Sequence, residues 1–297
     1  MWTSGYVLEN EIGERYDLTP PAPIYLVNVE GLGVNEKHTF ADLDVGFFQL
    51  TDASIPQDGI TGDLIYQAGA FGNYQNLVNW IAKAKTLYFC YTPIDTEYRR
   101  IVRLKNLKKD KRDGAGWMQA TVSFEPLTPW YLPTPAEIGI SQDTENVKGF
   151  FELDGGDYGY IYDDDLHYGG ESAGGMEAVL LPSGHEPASV VLRYTGAITN
   201  PRIRLVGQTT GKVYGICDIE TTLDASDTLE LSTRYDDSYV KKISASGVET
   251  SLLENINLAY NPYFRVPVNE PSILSIESDA EVSGGAELLV YTYYRSV

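Results

Sequence analysis

The stretch of sequence that decides the fold runs Leu87-Tyr-Phe-Cys-Tyr-Thr-Pro-Ile-Asp-Thr-Glu-Tyr-Arg-Arg-Ile-Val-Arg-Leu-Lys-Asn-Leu107, passes through a charged turn, and closes with Ala120-Thr-Val-Ser-Phe-Glu-Pro-Leu-Thr-Pro-Trp-Tyr131. Eight of the fourteen residues from 99 to 112 are Lys or Arg. Apolar residues recur among them at partly alternating positions, as in a half-buried strand: Ile101, Val102, Leu104 and Leu107. This pattern predicts a β-hairpin with a cationic edge, and exposed strand edges bind other chains.

Length and composition indicate a folded, strand-rich protein of two domains. The chain has 297 residues, and a typical domain has about 100 to 200. Its hydrophobic fraction of 43% and its 22 tyrosines exclude a disordered chain and fit β-sheets with Tyr on half-exposed faces. No run approaches the roughly 18 apolar residues of a membrane span, and the N-terminal residues lack the pattern of a signal peptide. We therefore expect a protein that is made as a soluble cytosolic product.

The net charge of −20 is unevenly distributed. Residues 1–131 hold 12 Lys and Arg against 16 Asp and Glu, residues 132–186 hold 1 against 12, and residues 187–297 hold 9 against 14. Such an acidic chain is a poor ligand for nucleic acid or an anionic membrane, because phosphate binding needs a positive face. We expect neither membrane association nor sequence-specific binding of nucleic acid, and solubility is the simplest reason for the acidity.

Residues 1–131 are predicted to form a sheet covered by one helix. Apolar residues at helical spacing place that helix after Asn73, the expected N-cap, and Lys83 lies near its end, where the helix dipole favours cations. Strands are predicted at residues 24–29, 47–50 and 64–66 and in the basic hairpin. Four prolines from Pro126 to Pro135 then predict a domain boundary, because proline disrupts regular strand pairing.

Residues 132–297 are predicted to form a second domain, a β-sandwich or jelly roll. Its opening segment, residues 132–186, is acidic and rich in Gly and Tyr, and three of its tyrosines alternate as on one face of a strand: Tyr158, Tyr160 and Tyr162. Beyond Ala188, strand patterns recur about every ten residues with turns between them. The predicted strands cover residues 190–194, 202–206, 212–219, 228–232, 273–278 and 288–294.

No motif in the sequence supports catalysis or cofactor binding. The acidic segment contains a carboxylate cluster that could serve a glycoside hydrolase or hold a structural cation: Asp154, Asp157, Asp163, Asp164 and Asp165. Three consecutive aspartates point to alternate sides of a strand, and the spacing misses that of an EF-hand loop, so a solvated strand end is the preferred interpretation. The histidines at 38, 167 and 185 are far apart, and no triad, Walker loop or zinc ligand set is present. We expect a protein that is not an enzyme, with no cofactor and no metal.

The two cysteines are predicted to be buried free thiols. Cys90 and Cys217 lie far apart and in different predicted domains. Each has apolar, strand-like neighbours, a context in which cysteine behaves as a small hydrophobic residue. The sequence therefore contains no disulfide framework.

The order of these motifs resembles that of the distal tail proteins of siphophages. The N-terminal domain of that family has a similar aromatic strand, a bend with proline, a Tyr-Arg-Arg strand continued by Leu-Lys-Asn-Leu, and a closing strand that ends in Trp-Tyr. A turn with Pro and Gly precedes them here, in Ile55-Pro-Gln-Asp-Gly-Ile-Thr-Gly-Asp-Leu-Ile-Tyr66. Three later stretches resemble strands of the family's second domain: Thr199-Asn-Pro-Arg-Ile-Arg-Leu205, Leu229-Glu-Leu-Ser-Thr-Arg234 and Phe264-Arg-Val-Pro-Val-Asn-Glu-Pro-Ser-Ile-Leu-Ser-Ile276.

The resemblance implies a mainly β, structural protein of the virion tail tip, made in the cytoplasm of the host bacterium. Residues 1–131 would be an N-terminal β-sandwich or belt domain with one covering helix, and residues 132–297 a galectin-like β-sandwich. The belt domains would form a homo-hexameric ring, single or stacked as two rings. That ring would join the tail tube protein to the tail-associated lysin or tail-tip protein, and receptor-binding proteins are further expected partners.

The basic run is the candidate interface in this interpretation. It consists of Arg99, Arg100, Arg103, Lys105, Lys108, Lys109, Lys111 and Arg112. Such a run could be a solvated strand face, could line a passage for DNA through sequence-blind phosphate contacts, or could meet an acidic neighbouring subunit. We favour the subunit seam, because an acidic protein that self-assembles needs complementary charge.

The alternative function is a lectin-like module that recognises cell-surface saccharide through the tyrosines and carboxylates of the second domain. Residues 132–297 contain no tryptophan, since the four tryptophans are Trp2, Trp80, Trp117 and Trp130. Stacking on sugar rings would therefore fall to tyrosine. A glycoside hydrolase that uses the clustered aspartates is the third and most remote interpretation.

Overall fold

The structure, a computed structural model, describes residues 4–33, 37–42, 48–54, 59–67, 69–109, 116–141, 175–280, 282 and 284–297. This part of the chain is built of β-strands with one α-helix and one short 3-10 helix, which confirms the prediction of a mainly β protein. Two compact units are present: unit 1 is residues 1–132 together with 293–297, and unit 2 is residues 133–292. No helix among the described residues is long and apolar enough to cross a membrane.

The first ten strands and the helix come from the N-terminal part of the chain. They are β1 (Gly5–Asn10), β2 (Arg15–Asp17), β3 (Ile24–Glu30), β4 (Lys37–Asp42), β5 (Phe48–Ser54), β6 (Ile60–Tyr66), α1 (Ala70–Lys83), β7 (Leu87–Thr92), β8 (Tyr98–Lys109), β9 (Met118–Pro126) and β10 (Trp130–Ala136). Seven strands form an antiparallel series in the order β2-β1-β7-β8-β9-β6-β3. The long strand β8 joins its two halves, because β7 pairs with the first part of β8 and β9 with the second part. The predicted basic hairpin is therefore present as β8 and β9.

The core of unit 1 is built from one face of this sheet. Side chains alternate along each strand, and the inward positions carry buried apolar residues: Leu8, Leu26, Leu64, Phe89, Val102, Val122 and Phe124. Trp130 is fully buried and meets the Phe89 ring edge-on, with 6.2 Å between the ring centres. Aromatic pairs of this kind contribute about 0.5 to 1.5 kcal/mol beyond the burial of their area. The aromatic strand noted in the sequence thus supplies the centre of the core.

Helix α1 begins at Ala70, before the predicted N-cap. Gly69 occupies the cap position with a φ of 79°, in the left-handed region that favours glycine, and the cap has no side-chain hydrogen bond. The Asn73 backbone N–H donates to the Gly69 carbonyl, so Asn73 already lies within the first turn and the predicted cap is wrong. Leu77 is buried against the sheet, and Lys83 lies in the last turn as predicted.

The proline-rich segment forms a strand, contrary to the expectation from its composition. Strand β10 includes Pro133 and Pro135, and its Tyr131 pairs with Arg99 of β8. Proline fits a strand at positions where its missing N–H is not needed for the hydrogen-bond ladder. The expectation that these prolines would prevent strand formation is wrong for this segment.

Strands β4 and β5 form a two-stranded sheet of their own. They pair from Lys37 opposite Ser54 to Asp42 opposite Phe48, with a register shift after Thr39. Neither strand pairs with any other strand in the part of the chain that the structure describes. Both outer edges of this hairpin therefore lack backbone partners there. A two-stranded hairpin alone is only marginally stable in water, and its open edges are templates for pairing.

Unit 2 is a β-sandwich, as the strand spacing predicts. The remaining elements are β11 (Gly139–Ser141), β12 (Gly175–Leu180), β13 (Glu186–Thr195), β14 (Ile198–Thr199), β15 (Arg202–Gly207), β16 (Val213–Asp218), β17 (Thr222–Leu223), β18 (Thr228–Thr233), β19 (Ser238–Ile243), β20 (Glu249–Ser251), the 3-10 helix η1 (Leu253–Asn255), β21 (Ser272–Glu277) and β22 (Gly285–Tyr294). One sheet has the order β11-β12-β21-β15-β16, and the other β22-β13-β18-β19-β20. Apolar residues from both sheets form a single core cluster. The galectin-like character of this sandwich stays a prediction.

Six strands of unit 2 escaped the sequence analysis, and the two longest of them, β12 and β19, did so for different reasons. Strand β12 follows a Gly-rich stretch that resembles a loop, although Met176, Ala178 and Leu180 alternate inward along it. Strand β19 buries only Val240, and its other residues are exposed or half-buried and mostly polar, so its alternation is weak. The predicted strand that carries Tyr158, Tyr160 and Tyr162 lies outside the described residues.

The C-terminal residues belong to unit 1, although they are the last in the chain. Tyr294 meets Tyr98 of β8 edge-on at 5.3 Å between ring centres, and Tyr293 meets Tyr131 at 6.3 Å. Tyr294 and Val297 pack against the core cluster of unit 1. Residues 293–297 therefore pack within the same unit as the N-terminal strands.

We predict that Tyr294→Ala destabilises unit 1 by about 2 kcal/mol, because it removes an aromatic pair and leaves a gap in the packing. All four tryptophans lie in residues 1–132, so tryptophan fluorescence during urea unfolding reports on this unit. The control is Tyr260→Ala, because Tyr260 is 47% exposed and its loss should have little effect. Equal unfolding curves for both variants would mean that the C-terminal residues do not support unit 1.

Candidate assembly interface

The basic residues of the predicted interface do not share one exposed edge. Six of the eight lie on β8, and neighbouring residues of a strand point to opposite faces. Arg100 pairs with the buried Phe89 on the core side of the sheet, whereas Arg99 pairs with Cys90 and points to the other side. Lys111 and Arg112 lie outside the described residues. The run therefore divides into residues with different roles.

Arg100 is part of the interior of unit 1. Its Nε donates a hydrogen bond of 2.6 Å to the Thr128 carbonyl, and its guanidinium lies 5.6 Å from the centre of the Trp130 ring. Burial lowers the pKa of Arg100 to about 10, because the charged form is poorly solvated there. The Ile101 backbone N–H also donates to the Thr128 hydroxyl, at 3.0 Å. These contacts hold the turn between β9 and β10. Arg100 therefore makes its hydrogen bond and its ring contact inside the unit.

Arg99 belongs to a closed cycle of four ion pairs on the other face of the sheet. It contacts Glu9 at 2.9 Å and Glu97 at 3.3 Å. Arg15 contacts Glu9 at 3.6 Å and also pairs with Glu97. Although burial opposes it, the neighbouring carboxylate of Glu9 raises the pKa of Arg99, so the guanidinium keeps its charge. Because these residues come from β1, β2, β8 and the turn before β8, the cycle fastens three strands together.

The sulfur of Cys90 lies beside this cycle. Its Sγ and one carboxylate oxygen from each of Glu9 and Glu97 lie within 4.8 Å of one another, a spacing that a metal ion could bridge. Burial raises the pKa of the Cys90 thiol to about 12, and Glu97 acts in the same direction. A metal ligand must be a thiolate, and both carboxylates are already neutralised by arginine. The group therefore fits an ion-pair cluster with a buried, protonated thiol.

The second half of β8 carries the basic residues that face solvent. They are Arg103, Lys105, Lys108 and Lys109. Lys105 pairs with Glu125 at 2.9 Å, and the Lys109 ammonium lies 5.1 Å from the centre of the Phe71 ring on α1. Arg103 and Lys108 form no ion pair with any residue that the structure describes. These two cations are thus available to an acidic surface.

Exposed apolar side chains lie near the ends of the same strands. Ile94, in the turn between β7 and β8, is 66% exposed, and Leu127, directly after β9, is 58% exposed. The Leu127 backbone N–H donates to the Ile101 carbonyl, which holds that residue beside β8. Single exposed apolar residues are ordinary on monomers. Here they lie beside the first half of β8, whereas Arg103 and Lys108 lie on its second half.

The remaining candidates from the sequence are not brought together by the described residues. The carboxylate cluster of Asp154, Asp157, Asp163, Asp164 and Asp165 lies outside them, as does His167. His38 lies on β4, of which only the backbone is described, and His185 is exposed in the turn before β13. The hydrolase and cation hypotheses for the acidic segment therefore stay predictions. The sequence analysis did not single out the open hairpin of β4 and β5, because pairing partners cannot be read from local pattern.

The N-terminal part of the chain matches a known protein family. Residues 5–127 match the family model described as the distal tail protein, N-terminal domain. The matched range includes β1 to β9 and helix α1, and therefore the solvent-facing half of β8 and the hairpin of β4 and β5. No curated protein matches the chain in sequence.

The fold is similar to that of two solved phage proteins along almost the whole chain. A chain of the phage P2 baseplate, in its activated conformation with calcium, aligns over 99% of both chains with a TM-score of 0.69 and 13% identity. The Dit protein of phage SPP1, described as a paradigm of the hub adsorption apparatus in phages that infect Gram-positive bacteria, aligns over 97% of this chain and 98% of its own, with a TM-score of 0.57 and 8% identity. At such identities the likeness shows a shared fold.

We predict that Glu9→Gln destabilises unit 1 by about 2 to 3 kcal/mol, because it removes the charge of one of the two carboxylates that Arg15 and Arg99 share, the nearly buried one. The free energy of unfolding would be measured in urea by tryptophan fluorescence. The control is Glu125→Gln, which breaks the exposed pair with Lys105 and should cost less than about 1 kcal/mol. Similar losses in the two variants would show that the cycle adds no more than a surface ion pair.

We also predict that neither cysteine of the folded protein reacts with Ellman's reagent at pH 8. Both thiols are buried, and burial raises the pKa of each to about 12, so the reactive thiolate is rare. Both should react within seconds after unfolding in guanidinium chloride, which serves as the control. Rapid modification of either thiol in the native protein would contradict the packing described here.

Proposed function

We propose that this chain is a structural protein of the phage tail tip, since its residues 5–127 match the N-terminal domain of the distal tail protein family, and that its unit 1 assembles with five copies of itself into a ring. The observation that carries this proposal is the hairpin of β4 and β5, whose two edges have no partner among the described residues. The ring number of six is the one that the family resemblance implies. Two such rings could stack face to face.

The open hairpin favours assembly for a physical reason. Soluble monomers protect strand edges with short strands, proline, charges or covering loops, because open edges attract other chains. Strands β4 and β5 contain six and seven residues and pair only with each other within the described chain. Pairing with a neighbouring subunit would satisfy these backbone groups. A contact between two different surfaces of adjacent copies is head-to-tail, and it gives a ring when the rotation closes.

Charge supports the same arrangement. The chain has a net charge of −20, so copies repel one another unless local contacts compensate. Arg103 and Lys108 are exposed cations without an ion-pair partner in the described residues, and they lie on the strand that organises unit 1. We assign them to the seam, where the acidic surface of the next subunit would meet them. Complementary charge of this kind mainly sets register and the rate of association.

The ring would act as a hub between parts of the tail. In this proposal unit 1 joins the tail tube protein on one side to the tail-associated lysin or tail-tip protein on the other. Unit 2 would project outward as a platform for receptor-binding proteins. The SPP1 protein with the same fold is described as a hub of the adsorption apparatus, and we extend that role to this chain. The work of such a protein is done by its interfaces and requires no catalytic group.

We predict that replacing both Arg103 and Lys108 with Glu prevents ring formation, because it puts like charges at the seam. Sedimentation velocity and negative-stain images of the full-length protein would measure assembly, and circular dichroism would verify the fold. The matched control replaces Lys85 and Lys212 with Glu, which changes the net charge equally at exposed positions elsewhere. The wild type and the control should form particles of six or twelve subunits, and the seam variant should remain small.

Three results would contradict this proposal. Normal rings from the variant with Glu at positions 103 and 108 would remove those residues from the seam. A wild-type protein that stays monomeric at micromolar concentration would contradict self-assembly. Loss of rings in the control as well would show that net charge, and not the seam, controls association.

A further inference from the structure

The solvent-facing side of one sheet of unit 2 carries a cavity that is lined by charged, hydroxyl and apolar residues. A space of about 550 Å³ lies over β13, β18, β19 and the start of β22. Its lining consists of Arg193, Thr195, Thr228, Ile243, Gly285, Ala286 and Glu287. We propose that this cavity binds a neutral saccharide. This inference depends on unit 2 alone and stands apart from ring formation.

Arg193 of this lining belongs to a ladder of alternating charges across neighbouring strands, whose other members lie beside the cavity. Arg193 of β13, Glu230 of β18 and Lys241 of β19 lie directly opposite one another in the sheet register. Arg193 donates from Nε and Nη2 to Glu230 at 3.1 and 2.9 Å. Lys241 lies 3.6 Å from the other oxygen of Glu230 and 3.1 Å from Glu249. Each charge in the ladder thus has an opposite neighbour, and the side chains are held in place.

The carboxylate at the centre of the ladder is nearly buried. The side chain of Glu230 is 8% exposed, and the Tyr239 hydroxyl donates to it in addition to Arg193. Burial alone would raise the pKa of Glu230, but the hydrogen bonds from Tyr239 and Arg193 lower it overall, so the group stays ionised. A fixed, ionised carboxylate keeps the Arg193 guanidinium in one orientation. The donors of that guanidinium are therefore preorganised before any ligand arrives.

The balance of charge points to a neutral ligand. Arg193 and Lys241 are offset by Glu230 and Glu249, and the neighbouring Lys242 pairs with Asp227 at 2.6 Å. No cation of the described lining is left to attract a phosphate, sulfate or carboxylate group. An anionic ligand would also meet the exposed carboxylate of Glu287. Phosphorylated and acidic sugars are thus disfavoured.

Hydrogen-bonding groups of both kinds remain free around the cavity. Arg193 Nη1 has no hydrogen-bond partner among the described residues, and neither has the carboxylate of Glu287. The hydroxyls of Thr195 and Thr228 lie 3.0 Å apart, so one of them donates to the other and the second keeps its proton for a ligand. The cavity therefore presents donors next to acceptors.

A sugar matches this mixture better than other ligand classes. Each of its hydroxyl groups both donates and accepts, so a pair of adjacent hydroxyls can meet a guanidinium and a carboxylate together. The side chain of Ile243 provides an apolar surface for the C–H face of the ring. The Cβ direction of Gly285 points into open space, so the strand admits a ligand closely at that point. The cavity volume lies within the range of about 300 to 1,000 Å³ that small-molecule sites have.

The test is saturation-transfer NMR on the full-length protein with defined oligosaccharides. The probes are neutral trisaccharides of glucose, galactose and N-acetylglucosamine, with a singly sialylated trisaccharide as the charged comparison. Glu287→Gln replaces one acceptor oxygen of an exposed carboxylate with an NH2 donor, and Thr195→Val removes an exposed hydroxyl; each should weaken binding of the best neutral probe about ten-fold. Gly285→Leu fills the open space and should abolish it. Calorimetric titration would supply the dissociation constants.

The matched control is Glu254→Gln, which alters an exposed carboxylate of unit 2 outside the cavity and its charge ladder and should leave binding unchanged. Transfer from at least one neutral probe that is lost in the cavity variants and kept in this control supports the proposal. No transfer from any neutral probe at millimolar concentration would overturn it. Binding that all the cavity variants retain, or binding of the sialylated probe alone, would overturn it as well.

Discussion

Unpaired backbone N–H and C=O groups are the main physical constraint on this fold. A strand that pairs on one side only presents a row of N–H and C=O groups, and water, another strand or a covering segment must satisfy them. Five strands of unit 1 are paired on both sides, in a series around β8 whose end strands are β2 and β3. The hairpin of β4 and β5 does not join that series in the described residues. The fold is therefore stable as a unit and still offers edges, which is the combination that an assembling protein needs.

The charges of β8 are divided between the fold and the surface by the alternation of the strand. Arg100 holds the turn after β9 from the core side, and Arg99 closes the ion-pair cycle with Glu9, Glu97 and Arg15 on the other side. Both arginines are occupied within unit 1. The cations in the second half of the strand make fewer contacts within unit 1, since Arg103 has no ion-pair partner in the described chain. One strand thus stabilises its own unit at one end and is available to a partner at the other.

Much of the fold could be predicted from local pattern, and the rest depends on contacts between distant residues. The alternation from Ile101 to Leu107 was enough to predict β8, because a half-buried strand shows period two. The helix start was missed, because Gly69 caps by its backbone conformation and offers no side-chain signal. The cycle of Glu9, Arg15, Glu97 and Arg99 joins residues up to ninety positions apart, so no window of sequence shows it. The same holds for the charge ladder of unit 2, whose members meet only through strand register. The basic run was recognised as a candidate interface, but its division between core and surface follows from pairing that sequence alone does not give.

In the proposed ring, the strand edges of unit 1 hold copies of this chain together. A cryo-electron microscopy map of the assembled full-length protein at side-chain resolution tests it most directly, because it shows where each backbone group of β4 and β5 finds its partner. We expect backbone hydrogen bonds between this hairpin and unit 1 of the next subunit, with Arg103 and Lys108 at the same contact. A particle whose subunits meet through unit 2 alone, with the hairpin edges in solvent, would contradict it.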